Sequence, residues 1–110
     1  MSTNAILVAI MIVESGLNPM AYNPQEKAAG ILQIRPQYVS DCNRIVGYKR
    51  FSYPWDCFIP TKSIEMFHLY TEFYGAKTWK EKARIHNGGP KGCYKEATLK
   101  YWTKVQKYRK

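Results

Sequence analysis

Nine apolar residues without a break, Ala5 to Val13, run directly into Glu14-Ser15-Gly16. The run is about half the length that a helix needs to cross a bilayer. It must therefore be covered by the rest of the chain. Its Ile and Val content suits a buried strand as well as a helix, and periodicity does not separate the two over so short a stretch. The flanks favour a first buried helix from about Thr3 to Ser15, capped by Thr3 or Asn4 and broken by Gly16. No Lys or Arg precedes the run and no small-residue cleavage site follows it, so a secretory signal is not expected. A chain of this kind is then exported by another route or is a trimmed piece of a longer protein.

Beyond Gly16 the punctuation is clear. Asn18-Pro19 and Asn23-Pro24 mark loops, and Gly30 to Arg35 is a short apolar segment of undetermined type. Pro36 suits the first position of a second helix that ends near Gly47, with Tyr38, Val39, Cys42, Ile45 and Val46 on its apolar face. Residues 48–59 read as an aromatic-rich loop. A third helix is expected from about Pro60 to Tyr74, with Ile64, Phe67, Thr71 and Tyr74 on one face and Gly75 as its stop. Thr78-Trp79-Lys80-Glu81 is a capping-box pattern that opens a fourth helix, and Asn87-Gly88-Gly89-Pro90 ends it. A fifth spans about Tyr94 to Tyr108, with Thr98, Tyr101, Trp102, Val105 and Tyr108 on one face. The chain reads as mainly α, one domain over residues 1–110, with any sheet small and confined between Asn18 and Arg35.

Charge narrows the partners. The formal net charge is +9, and residues 81–110 alone hold nine basic and two acidic side chains. Such a field attracts a polyanion: nucleic acid, an anionic membrane surface or a bacterial wall. No 18-residue apolar stretch, Gly-x-Gly-x-x-Gly or Walker-type loop occurs, which argues against a membrane span and a nucleotide enzyme. Cys42, Cys57 and Cys93 are an odd number without Cys-x-x-Cys spacing, so at most one disulfide forms and reduced thiols are favoured. No ligand cluster points to a metal or cofactor.

Glu14 is the first candidate for chemistry. A carboxyl at the end of a buried helix loses hydration, and desolvation raises its pKa toward neutrality. A carboxylic acid protonated there can give its proton to a leaving oxygen. Spacing alone favours an exposed charge at a helix end.

Glu14-Ser15-Gly16-Leu17-Asn18-Pro19-Met20-Ala21, followed by Gly30-Ile31-Leu32-Gln33-Ile34, resembles the start of the lytic transglycosylase SLT domain, a lysozyme-like family with Glu-Ser and Gly-x-x-Gln stretches. Ile85-His86-Asn87-Gly88-Gly89 sits where that family carries Ala-Tyr-Asn-Ala-Gly. Tyr101 to Val105 is similar to its closing Tyr-x-x-x-Val. The segment from Ala83 to Trp102 looks closer still to invertebrate-type lysozymes. The motifs touch residues 9–34 and 83–105 and leave 35–82 unplaced.

This resemblance implies a mainly α, α+β lysozyme-like fold with a minor or absent β element. It also implies a peptidoglycan glycosidase acting on the β-1,4 bond between N-acetylmuramic acid and N-acetylglucosamine. Glu14 takes the general-acid role. Ser15 orients it or meets the sugar, and Asn23, Gln33, His86, Asn87 and Tyr101 belong to the cleft, with Tyr101 pointing at the acid. For His86 a structural role outweighs a proton-carrying one. Invertebrate-type lysozymes place a second catalytic Asp where this chain has Asn23. An amide is no carboxylate nucleophile, which favours the single-acid route of the transglycosylases; the alternatives are Glu26 as an offset second carboxylate and an inverting hydrolysis by a positioned water.

The partner expected is the glycan strand at the bacterial wall, outside the cytoplasm, met by a monomer without cofactor, as for a phage endolysin. The 48–58 aromatics, Tyr48, Phe51, Tyr53, Trp55 and Phe58, are either core or part of the sugar cleft. The rival is a non-catalytic basic module that binds wall or nucleic acid, and no helix-turn-helix or RRM signature supports the nucleic-acid form.

Overall fold

A computed structural model describes residues 4–109. The apolar run forms helix α1, Ala5–Ser15. Asn4 is its cap, with Oδ1 accepting from the Ile6 amide at 2.7 Å, while Thr3 lies outside the described residues. Gly16 ends the helix at φ 66°, and its N–H reaches the Ile12 carbonyl oxygen. Leu7, Ala9, Ile10 and Met11 go into the core. A small antiparallel hairpin follows, β1 (Tyr22–Asn23) on β2 (Ala28–Ala29), in the register Tyr22 to Ala29. Asn23 Oδ1 closes its turn by accepting from the Gln25 and Glu26 amides. The sheet lies between Asn18 and Arg35, as the loop residues there predict.

The segment of undetermined type, Gly30 to Arg35, is a tight turn pinned by the Ala29–Ile34 bridge. It delivers Leu32 and Ile34 to the core fully buried. Helix α2 (Pro36–Val46) starts on Pro36 and stops at Gly47, φ 89°. Helix α3 spans Pro60–Phe73. Helix α4 (Trp79–Gly88) carries the capping box in full, with Thr78 Oγ1 accepting from the Glu81 amide at 3.1 Å and Glu81 Oε1 accepting from the Thr78 amide. Helix α5 spans Glu96–Lys107. Among the described residues no helix is long and apolar enough to cross a membrane.

Three expectations need correction. The buried face of α3 is Ser63, Met66, Phe67, Tyr70 and Thr71, rotated from the face read off the sequence; Ile64 and Tyr74 are only half-buried. Helix α5 begins two residues later than Tyr94, because Gly92–Tyr94 forms a separate 3-10 turn packed against α4. Arg84 holds that junction by donating to Thr98 Oγ1 and the Lys95 carbonyl oxygen. Tyr108, placed on the inner face of α5, is 45% exposed. Within the 48–59 loop, Trp55–Phe58 is a 3-10 turn. All three cysteines are free thiols, and burial pushes Cys42 and Cys57 up to about 12, which leaves them unreactive.

Candidate active site

Glu14 is the penultimate residue of α1, where the helix dipole presents its negative end to a carboxylate. The αL turn at Gly16 and Leu17 sends the chain away behind it, so the side chain is left facing a cleft of about 410 Å³. Gln33 and Arg35 line one part of this cleft, Tyr38, Asp41 and Tyr70 another, and His86 with the Asn87–Pro90 turn a third. The Glu14 side chain is only 17% exposed. Burial is the main cause that pushes its pKa up to about 7. The hydrogen bond from Tyr101 and the charge of Arg35 pull the other way without cancelling it.

Tyr101 reaches Glu14 from α5, its hydroxyl 2.6 Å from Oε2. Burial and the neighbouring carboxyl hold the Tyr101 phenol far above its ordinary pKa, so it stays neutral. His86 comes from α4 and is 9% exposed. Its Nε2 lies 2.9 Å from the Leu32 carbonyl oxygen and 3.6 Å from Glu14 Oε2, and its Nδ1 lies 2.8 Å from the Tyr38 hydroxyl. Burial lowers its pKa to about 4, so the ring is neutral in ordinary conditions. Both ring nitrogens are engaged inside the protein, which leaves neither for a sugar.

The other expected residues divide. Gln33 lines the cleft, held at φ 54° with Nε2 donating to the Gly30 and Ala21 carbonyl oxygens. Asn87 lines it from the exposed end of α4. Ser15 turns away: its Oγ donates to the Ile31 carbonyl oxygen at 2.8 Å and ties the end of α1 to the turn after the hairpin. Asn23 is exposed in the hairpin turn and does not line the cleft. Glu26 is engaged with Arg35 in an ion pair. The 48–58 aromatics do not line the cleft either; Phe51 is 1% exposed and core, whereas Trp55 is 71% exposed.

Sequence reading missed Arg35, Asp41, Tyr70 and Lys95 and took Tyr38 as core. Tyr38 and Tyr70 stack at a centroid distance of 3.8 Å. Asp41 accepts from the Tyr74 hydroxyl at 2.7 Å and from Arg44. Pairing across α2 and α3 is a tertiary fact, and only helical spacing at 38 and 41 hinted at a shared face.

The transglycosylase SLT domain family matches residues 1–91. The chain belongs to that family. The match runs through residues 35–82, where no motif is readable. Similar proteins include a lysozyme of Magallana gigas, 32% identical over 106 residues, covering 94% of this chain and 77% of that one. Invertebrate-type lysozyme 6 of Caenorhabditis elegans is 30% identical, covering 84% of this chain and 77% of its own. For a lysozyme of Ostrea edulis, 33% identical, the chain spans only 58% of the relative's length. Among solved structures, the complex of Meretrix lusoria lysozyme with Aeromonas hydrophila PliI matches with a TM-score of 0.79 at 27% identity, over 96% of this chain and 88% of that one. The mainly α, lysozyme-like fold is therefore established, and the family supports glycosidase chemistry directed at peptidoglycan.

Proposed function

We propose that this chain cleaves the β-1,4 bond between N-acetylmuramic acid and N-acetylglucosamine, with Glu14 as the single catalytic acid and base. The observation that carries the reading is a buried carboxyl in a cleft, with its pKa pushed up to about 7. In the first step the Glu14 proton goes to the glycosidic oxygen as the bond from that oxygen to C1 breaks. The electron pair of the broken bond leaves with the oxygen. In the second step the muramyl 6-hydroxyl oxygen bonds to C1, and its proton returns to the Glu14 carboxylate. The products are a free 4-hydroxyl and a 1,6-anhydro end, and the enzyme is regenerated.

Three features support the single-acid route. Asn23 has no carboxylate and lies outside the cleft. Glu26 is tied to Arg35. Asp41, the other acid that lines the cleft, is committed to Arg44 and Tyr74. Mass spectrometry of digested peptidoglycan tests the route. Muropeptides with 1,6-anhydromuramic ends are expected, inverted reducing ends would signify attack by water, and a trapped covalent sugar would overturn the reading. A non-catalytic wall binder would leave the turbidity of a cell-wall suspension unchanged.

The basic end of the chain supplies wall adhesion in this reading. Lys100, Lys104 and Lys107 are all exposed on α5. Neutralising the three together should lower activity on intact walls while sparing short neutral oligosaccharides, and raised salt should reproduce the effect on the parent by screening. Equal loss on both substrates would show that these lysines act through folding instead.

A further inference from the structure

The two carboxyl oxygens of Glu14 are not equivalent. Oε2 faces the Tyr101 hydroxyl at 2.6 Å and His86 Nε2 at 3.6 Å. Among the described residues Oε1 has no hydrogen-bond partner. Among the described residues no buried side-chain oxygen or nitrogen lacks a hydrogen bond, so Oε1 is open to the cleft that Glu14 lines.

The state of His86 follows from its neighbours. A carbonyl oxygen can only accept, so the 2.9 Å contact with Leu32 puts the hydrogen on Nε2. Nδ1 then carries the lone pair and accepts from the Tyr38 hydroxyl. One tautomer is thereby fixed from the turn after the hairpin and from α2. The Tyr101 hydroxyl has no such constraint. Taken alone, it can donate to Oε2 or accept a proton from it.

We propose that His86 is a positioning residue: its locked Nε2–H edge keeps Oε2 of Glu14 as the lone-pair oxygen and places the transferable proton on Oε1, toward the substrate. A proton on Oε2 would lie against the positive edge of the imidazole. That unfavourable pairing removes the second option, so Tyr101 donates. In the transfer, the Oε1–H bond breaks, its electron pair stays on Oε1, and the new O–H bond forms on the glycosidic oxygen. The titratable groups around His86 are Glu14 from α1 and Tyr38 from α2, with Arg35 just before α2 and Tyr70 of α3 stacked behind Tyr38. The inference rests on Glu14 being the acid.

The experiment combines pH–rate profiles with one spectroscopic reading of the intact protein. In Tyr101→Phe, a donor to the carboxylate is lost, so the alkaline limb should move to higher pH. A limb that moves to lower pH would mean that Tyr101 accepts from Oε2, which overturns the proton placement. His86→Gln keeps an N–H near the Nε2 position and should retain most of kcat. His86→Leu should lose about tenfold or more in kcat, with KM held and the alkaline limb raised. Equal kcat loss in both His86 variants with an unmoved limb would reduce His86 to packing and overturn the proposal. Nitrogen-15 NMR of the parent should show the Nε2–H tautomer from pH 5 to 8, and an Nδ1–H signal would overturn it without any mutation. Glu14→Gln in the same assay separates the levels: parent turnover in that variant sinks the acid assignment itself, and loss of turnover upholds it, so that the Tyr101→Phe limb then judges proton placement alone.

Discussion

Glu14→Gln should lower turnover on peptidoglycan by about 10²–10⁴-fold, the usual worth of a positioned general acid. The amide keeps the size and polarity of the side chain and removes only the proton that leaves. The parent should lose activity as pH rises through about 7, where Glu14 ionises. The same substitution has a stability signature. Between pH 4.5 and 7 the folded parent holds a proton that the unfolded chain releases, so stability falls with rising pH, by on the order of 3 kcal/mol in full. His86 works in the opposite sense. Its pKa drops from 6.5 to about 4 on folding, so stability is lost as pH falls through that window.

Over pH 4.5–6.5 these two slopes offset each other in the parent. Glu14→Gln removes one and exposes the other, so the variant should gain stability from pH 4 to 6.5. Above pH 7 it should melt higher than the parent. Thermal melts at four pH values check this. Parallel curves for parent and variant would show that Glu14 titrates like an exposed helix-end charge, and near-normal turnover would remove it from the catalytic step.

What the sequence disclosed about Glu14 rested on covalent neighbours. An apolar run that must be buried, a stop at Gly16 and a carboxyl between them place the acid at a helix end. The helix ends were legible for the same reason: Asn4, Pro36, Gly47 and the Thr78–Glu81 pair act within four residues of themselves. The inner face of α3 was misread in part because Ser63, a polar residue, lies on it. Ser63 is fully buried, with its hydroxyl donating to the Cys57 carbonyl oxygen, whereas Thr71, placed on the inner face from the sequence, is buried there and donates to the Phe67 carbonyl oxygen. A hydrophobic pattern gives no credit to a satisfied hydroxyl. The opposite wall of the cleft was illegible because it depends on tertiary pairing: Tyr38 stacks on Tyr70 across thirty-odd residues of chain. Tertiary pairing also brings Tyr101, which does not line the cleft, to Glu14 from the far end of the sequence. Only family resemblance supplied that last contact in advance.

Gly30→Ala should destabilise the fold more than any other glycine substitution outside the 3-10 turn at Gly92. At φ +84° the backbone of Gly30 is left-handed, which costs an L-residue roughly 1–2 kcal/mol. A Cβ there would stand 1.7 Å from the Cys57 carbonyl oxygen and 2.7 Å from its carbon. Both atoms are backbone, in the 3-10 turn Trp55–Phe58, and the oxygen already accepts from the buried Ser63 hydroxyl. No side chain can swing aside, so the hairpin or the 3-10 turn must shift. Overpacking of this kind adds about 1–3 kcal/mol, a large share of the roughly 5–15 kcal/mol that holds a domain together. Gly47→Ala is the control. It sits at φ +89° with nothing within 4 Å, so it carries the left-handed cost alone. Denaturant melts should show Gly30→Ala well below Gly47→Ala, and matching midpoints would mean that the close approach to Cys57 is absent. Function should fall with it. Gly30 sets the path of the turn that carries the Leu32 carbonyl and Gln33, so any molecules that do fold would present His86 with a displaced acceptor. Their residual kcat should drop further than their folded fraction, because the group that orients the Glu14 proton is held from that turn.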